Sequence, residues 1–396
     1  MYMKARIKSL AKEIKSEIIG VRHSIHSNPE LSFQEENTAT LVENYLQNLG
    51  LETHRISGTG VWAMIHGELG EGKTIALRAD LDALPIQELS DKSYASKNPG
   101  VMHACGHDVH TSSLLGAAKI LCSLKSEFKG AIKLVFQPGE EKLPGGASLL
   151  IKEGILNNPK VDAIIGQHVM PFINTGNVGF RKGLYMASTD EIYITINGKG
   201  GHGAMPHLCV DPVATAAQVI VSLQQIVSRK AKPILPTVLS FGKINSNGGA
   251  TNVIPNSVSI EGTLRTLDEQ WRAEVKDLIK TLVNSTAASF GATAEVRIVD
   301  GYPYLKNDEN LTGKLWGFAN EYMGEEQVEE LDIWMAAEDF AYYSQEVPAC
   351  FYRLGTRNEQ KGITSAVHTN TFDIDEDAIE DGCGLMAFLA YSALEN

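Results

Sequence analysis

Two textures of apolar patterning share this chain, and the second interrupts the first. In the first texture, short apolar runs alternate with amphipathic stretches. Val61–His66, Thr74–Arg78, Ala131–Phe136 and Val161–Gly166 read as buried strands. Helical spacing predicts helices over Lys4–Ser27, Glu35–Leu49 and Thr111–Leu124. Asn28-Pro29 marks a turn, Gly50 ends the second helix, and Thr111, Ser112 and Ser113 offer caps for the third. Strands that alternate with helices build a mostly parallel sheet covered by helices.

Near Thr189 the texture changes. Ile192, Ile194 and Ile196 alternate with Glu191, Tyr193 and Thr195, as in a half-exposed strand. A helix over Asp211–Ser228 and strands over Thr237–Ile244 and Ser257–Arg265 follow. Thr266 and Glu269 form a capping-box pattern before a helix whose buried face carries Trp271, Val275, Leu278 and Leu282. A last strand has Ala294, Val296 and Ile298 on one side. The order β-α-β-β-α-β is a split βαβ unit, the ferredoxin-like arrangement. After Asp300 the first texture returns, with a helix over Leu311–Met323, a strand over Cys350–Leu354 and a closing helix over Asp377–Leu394. The expected fold class is α/β. Residues 1–187 and 301–396 form one discontinuous mostly parallel-sheet domain, and residues 188–300 form an inserted ferredoxin-like α+β domain.

At 396 residues the chain can bury its core without staples. Its net charge of −13 argues against nucleic acid, because phosphate binding needs clustered positive charge. Cys105, Cys122, Cys209, Cys350 and Cys383 are odd in number and widely spaced, so no disulfide framework is expected and a cytoplasmic setting is. The N-terminal stretch mixes Lys4, Lys8 and Lys12 with Glu13 and Glu17. It therefore reads as an amphipathic helix of the fold and not as a signal peptide. No apolar run reaches the roughly 18 residues of a membrane span.

The densest chemistry is His103-Ala-Cys-Gly-His-Asp-Val-His110. Cys105 and His107 are two apart, so in extended backbone both would point the same way. Thiolate and imidazole are good ligands for zinc and similar ions. A thiol nucleophile with a histidine base, or a plain polar loop, are the rival readings. Glu140 and Glu141 follow the strand Ala131–Phe136. Adjacent carboxylates repel, which suits one ligand beside one general base, or a solvated acidic turn. Asp80 and Asp82 follow Thr74–Arg78 and are either a turn device or carboxylates that ligate a metal or orient a ligand. His168 and His368 also follow predicted strands. In open parallel sheets ligands bind beyond the carboxyl ends of the strands, where these residues converge.

The series RADLDALP, HACGHDVHT, QPGEE, GQHV, GKGGHGAMPH, TNVIPN, GTLRT, AEDFAYY and AVHTNTF runs in this order through the chain. It resembles the family of two-metal aminoacylases and carboxypeptidases. The nearest branch contains hippurate hydrolases, N-acyl-amino-acid amidohydrolases, auxin-conjugate hydrolases and N-acetyl-diaminopimelate deacetylases. The resemblance implies metal ligands at Cys105, His107, Glu141, His168 and His368. It implies a general base at Glu140, a supporting carboxylate at Asp82 and an oxyanion-stabilising His202 that reaches across a dimer. Asn252 and Arg265 match residues that hold the substrate carboxylate. It further implies a homodimer formed through the inserted domain. Asp80 stands where other branches place a histidine ligand, so their full ligand set does not transfer.

Two divalent ions are implied as cofactors. The thiolate argues for zinc, whereas the branch also implies manganese, cobalt or nickel. The expected reaction is hydrolysis of the amide bond of an N-acyl-L-amino acid by a metal-activated water. A carboxypeptidase or dipeptidase acting with the same machinery is the enzymatic alternative, and a catalytically silent binding protein the non-enzymatic one. Gly198 to His207 as a flexible loop and Arg265 as a surface residue are the plainer readings of the insertion. Glu338 and Asp339 lie in a matched motif without an assigned role.

Overall fold

A computed structural model describes residues 2–395. The chain forms two compact units. One comprises Met1–Tyr185, Lys306–Ile333 and Asp339–Asn396; the other comprises Met186–Leu305 and Trp334–Glu338.

The first unit is mixed α/β around an eight-stranded, mostly parallel sheet. Its strand order is Thr53–Ile56, Gly60–His66, Ala131–Gln137, Thr74–Asp80, Ala163–Asn174, Ala349–Arg357, Val178–Phe180 and Val328–Glu330. The four strands from Ala131–Gln137 to Ala349–Arg357 run parallel, flanked by antiparallel pairings. Every residue of Thr74–Asp80 and of Ala131–Gln137 is buried, because helices cover both faces of a parallel sheet. The helices Tyr2–His26, His107–Cys122 and Ala378–Glu395 pack against one another. Ile7, Ala11, Ile14 and Ile18 form the buried stripe of the first, as its helical spacing requires.

Most element ends lie within a few residues of the sequence expectation, and two of the differences bear on the site. The helix expected from Thr111 begins at His107, so Thr111, Ser112 and Ser113 lie buried in its interior and cap nothing. Thr111 Oγ1 instead donates to the Asp80 carbonyl at 2.7 Å. The strand expected over Val161–Gly166 runs over Ala163–Asn174, so His168 lies within it and pairs in register with Arg353.

The second unit is a four-stranded antiparallel sheet ordered Thr237–Ser246, Ser257–Thr266, Asp190–Asn197 and Thr293–Asp300. The helices Pro212–Gln225 and Glu269–Ser289 complete the chain order β-α-β-β-α-β. Ile192, Ile194, Ile196, Val258 and Ile260 form one core with Val219, Leu223, Val275 and Ile279. Asp268, not Thr266, caps the second helix, accepting from the Trp271 N–H at 2.7 Å. Thr266 is still paired in the strand, opposite Thr237. The fully buried positions of that helix are Arg272, Val275, Ile279, Val283 and Ala287, so the expected Val275 lies in the core and the expected Trp271, Leu278 and Leu282 pack half-buried against it. Arg272 is drawn inward because its guanidinium grips both oxygens of buried Asp190, at 2.8 and 2.7 Å.

Candidate metal centre

Parallel strands release their chains at one edge of a sheet, and the site is built there. Thr74–Asp80 and Ala131–Gln137 end in register, with Asp80 opposite Gln137. Asp82 and the Glu140-Glu141 pair therefore leave neighbouring strand ends. Gly106 joins Cys105 to the helix start at His107. Its φ is +82°, and a Cβ there would lie 2.5 Å from Val169 Cγ2, so only glycine makes this turn. Cys105 and His107 converge across a left-handed glycine, not through the extended backbone their spacing suggested. His368 lies in a loop whose backbone N–H donates to the Ala104 carbonyl at 2.7 Å, which ties it to the same motif.

Cys105 Sγ lies 3.5 Å from His168 Nε2 and 3.3 Å from His368 Nε2. His368 Nε2 lies 3.1 Å from Glu141 Oε1. Donor atoms of Cys105, His107 and His168 lie within 4.8 Å of one another, as do those of Cys105, Glu141 and His368, and of His107, Glu140 and Glu141. The structure thus brings together seven of the expected residues: Asp82, Cys105, His107, Glu140, Glu141, His168 and His368.

The hydrogen bonds leave free the atoms that the expected ligand set would use. His168 donates Nδ1–H to the Val169 carbonyl at 2.7 Å, so its Nε2 lone pair faces the thiol. His107 gives Nδ1–H to Asp82 Oδ1 at 3.2 Å, while its buried Nε2 makes no hydrogen bond. A carboxylate behind a ligand imidazole sets the tautomer and orients the ring.

Electrostatics point the same way. Burial opposes charge on His107, but Asp80, Asp82 and Glu141 outweigh it and raise its pKa to about 10. Positive charge is therefore favoured at this spot, and a proton or a divalent cation can supply it. Burial, then Glu141, Glu140 and Asp80, push the Cys105 thiol well above its usual range. Such a thiol is a poor free nucleophile and ionises with a cation beside it. Burial, helped by Arg353 and His110, holds His168 neutral, the form that ligates metals. The donors present fit two divalent cations.

Several supporting residues escaped the sequence reading. His110 donates to Asp80 Oδ1 at 2.6 Å and accepts the Val169 N–H at 2.9 Å, so both ring nitrogens are engaged in structure. Asp80 also holds Arg78 at 2.6 Å, and Arg78 reaches Asp339 at 2.8 Å. Asp339 further accepts from Gln137 Nε2 and from the Ala147 N–H. All these side chains are buried, so the unassigned Asp339 is an anchor for the strand ends. The signal in sequence was the Arg-x-Asp spacing of Arg78 and Asp80, which puts both on one side of a strand.

His202, Asn252 and Arg265 lie in the second unit. Gly201–His202 pairs with Val253–Ile254, and the Gly203 N–H donates to the Asn252 carbonyl at 2.7 Å, so His202 and Asn252 share one exposed ribbon. His202 Nδ1 accepts the Ala204 N–H at 3.1 Å, which leaves Nε2–H as a donor. Arg265 is half-buried on the strand Ser257–Thr266, away from that ribbon in sequence and opposite Val238.

Known proteins resemble this chain along most of its length. It is 43% identical over 368 residues to the N-acetyl-L-cysteine deacetylase of Bacillus subtilis, covering 92% of this chain and 85% of that one. It is 40% identical over 389 residues to thermostable carboxypeptidase 2 of Saccharolobus solfataricus, covering 97% of each. A crystal structure from Bacillus subtilis, described as a dinuclear metal binding peptidase of the M20 family, matches with a TM-score of 0.82 at 34% identity. That match covers 97% of this chain and 99% of the other. Residues 76–392 match peptidase family M20/M25/M40, and with these similarities the chain belongs to that family.

Proposed function

We propose that this chain is a metal-dependent amidohydrolase that splits N-acyl-L-amino acids into a carboxylic acid and a free amino acid. The observation that carries the reading is Glu140, buried and within reach of His107 and Glu141 in a cluster fit for two cations. Similarity to a deacetylase of an N-acetyl-amino acid supports the substrate class.

Cys105, His107, Glu141, His168 and His368 would hold the two ions, with zinc, manganese, cobalt or nickel as occupants. Bound there, divalent ions lower the pKa of a water toward neutrality and polarise a carbonyl. Glu140 takes the water's proton and passes it to the leaving amine. Asp82 fixes the His107 tautomer. His202 offers its Nε2–H to the developing oxyanion, and a donor of this kind is worth roughly 3 kcal/mol. Asn252 and Arg265 receive the amino-acid carboxylate, for which the guanidinium fork is suited.

The insertion 188–300 serves as the dimerisation domain in this reading. Thr237–Ser246 is an edge strand of its sheet, with Ile244 52% exposed, and the helix Pro212–Gln225 leaves Val221 64% exposed. An open edge beside exposed apolar side chains favours pairing with a second copy. All five cysteines are free thiols, in keeping with a cytoplasmic enzyme. No helix among the described residues is long and apolar enough to cross a membrane.

A second reading, a carboxypeptidase or dipeptidase, is favoured by the similarity to thermostable carboxypeptidase 2. Elemental analysis of the purified protein, with N-acetyl, N-benzoyl and dipeptide substrates assayed side by side, separates the two. Turnover of N-acyl-amino acids with about two bound ions supports the first. Turnover of dipeptides alone would overturn it.

A further inference from the structure

Glu35 is completely buried, and its carboxyl group accepts from two backbone N–H groups and a hydroxyl. An isolated carboxylate in that position is costly unless N–H and O–H groups satisfy it. It does not cap the helix Glu36–Asn48 that it precedes. Glu30 does so, accepting from the Asn37 and Thr38 N–H groups at 3.1 and 2.9 Å. Glu35 Oε1 instead bridges two backbone donors, the Phe33 N–H at 2.9 Å and the Gly139 N–H at 2.8 Å. Oε2 accepts the Thr59 hydroxyl at 2.5 Å.

Gly139 is the first residue of the Gly139-Glu140-Glu141 loop. The next two N–H groups of that loop, those of Glu140 and Glu141, both donate to Asp82 at 3.0 Å. Ser32 in turn donates to Asp82 Oδ2 at 2.6 Å. Three successive amides are thus pinned by two buried carboxylates, and the segment Ser32–Glu35 supports both. Phe33 closes the arrangement from outside. Its φ is +66°, an unusual conformation for a bulky residue, and a Cβ on Gly139 would lie 2.4 Å from its ring. Strain of this kind persists where the surroundings over-determine it.

We infer that Glu35 is a positioning residue for the proposed reaction. By anchoring the Gly139 amide, it sets the height of the Glu140 carboxylate over the reacting water while touching neither substrate nor ligand. This rests on the reading of Glu140 as general base. A misplacement of about 1 Å in such a group is worth on the order of a hundredfold in rate.

The test compares the full-length, metal-loaded enzyme with Glu35→Ala, Glu35→Gln and Thr59→Val. The readouts are kcat and KM on N-acetyl-amino acids, bound metal, and amide hydrogen exchange of residues 139–141. Glu35→Ala is expected to lose about a hundredfold in kcat, with KM and metal content near parental values and faster exchange at 139–141. Glu35→Gln keeps a carbonyl for both N–H groups and turns its amide to Thr59, so it should restore kcat to within about fivefold and restore slow exchange. Thr59→Val loosens only Oε2 and should lose about tenfold, which serves if Glu35→Ala does not fold. Parental kcat in Glu35→Ala, equal damage in Glu35→Gln, or unchanged exchange at 139–141 would overturn the inference. Exchange needs no turnover. A parent inactive on every substrate would therefore remove the functional reading, while exchange would still decide whether Glu35 anchors the loop 139–141.

Discussion

Asp82 Oδ1 and His107 Nδ1 face each other across 3.2 Å inside the protein, and the same carboxylate holds the backbone of Glu140 and Glu141. One side chain therefore orients the His107 imidazole and the loop that carries the proposed base. Asp82→Ala should weaken metal affinity by about 10–100-fold, and lower kcat even at saturating metal. Metal titration against a competing chelator, followed by kinetics at saturation, checks both parts. Unchanged affinity would show that His107 does not depend on Asp82 for its orientation.

Glu140→Gln preserves shape and removes the base. It should retain both ions by elemental analysis and lose about 10²–10⁴-fold in kcat. Turnover at the parental rate would remove Glu140 from the chemistry.

Metal uptake should depend steeply on pH. The His107 pKa is raised to about 10, and the Cys105 thiol lies well above its usual range. Below those values each proton must leave as a cation binds, so affinity rises with pH and falls with acidity. The expected slope is about tenfold per pH unit for each displaced proton. Chelator competition between about pH 6 and 8 measures it. A flat profile would argue against Cys105 and His107 as ligands.

Behind the helix His107–Cys122, Arg22 donates to Asp108 at 3.0 Å with both side chains buried. Burial works against the Asp108 carboxylate, but Arg22 and His26 outweigh it and depress its pKa strongly. A depressed carboxyl contributes stability that is present above its unfolded pKa and lost as pH falls through the acid range. Arg22→Met should destabilise the first unit by about 3–5 kcal/mol, because it removes the guanidinium partner of a buried carboxylate and leaves His26 alone to hold it. Chemical denaturation at neutral pH checks this, and Arg22→Met with Asp108→Asn should recover part of the loss.

The proposed dimer makes a mixing experiment decisive. Inactive His202→Ala and inactive Glu140→Gln, combined under conditions of subunit exchange, should regain activity. No recovery at any ratio would count against His202 acting across subunits.

Much of the fold was legible because burial dictates pattern. Ala131–Phe136 is apolar at nearly every position, as a strand covered on both faces must be, and Ile192-Ile194-Ile196 alternates as a strand covered on one. The expectation failed where a specific partner overrode periodicity. Asp190 drew Arg272, a charged residue, onto the buried side of its helix. Gly106 started a helix four residues before the hydroxyl-rich stretch that looked like its cap.

The sequence by itself determined the kind of chemistry, because ligand chemistry resides in side-chain types. A thiol, imidazoles and paired carboxylates placed after apolar strands mark a cation site wherever the strands end. Only the tertiary structure decided which atoms face one another and what holds them. Arg78 meets Asp339, Gly139 meets Glu35 and Cys105 meets His368, each across a long stretch of chain. Such pairings depend on strand order and register, which local patterning does not encode. His103 and His110 look alike in sequence; packing alone left both nitrogens of His103 without a hydrogen bond and engaged both of His110.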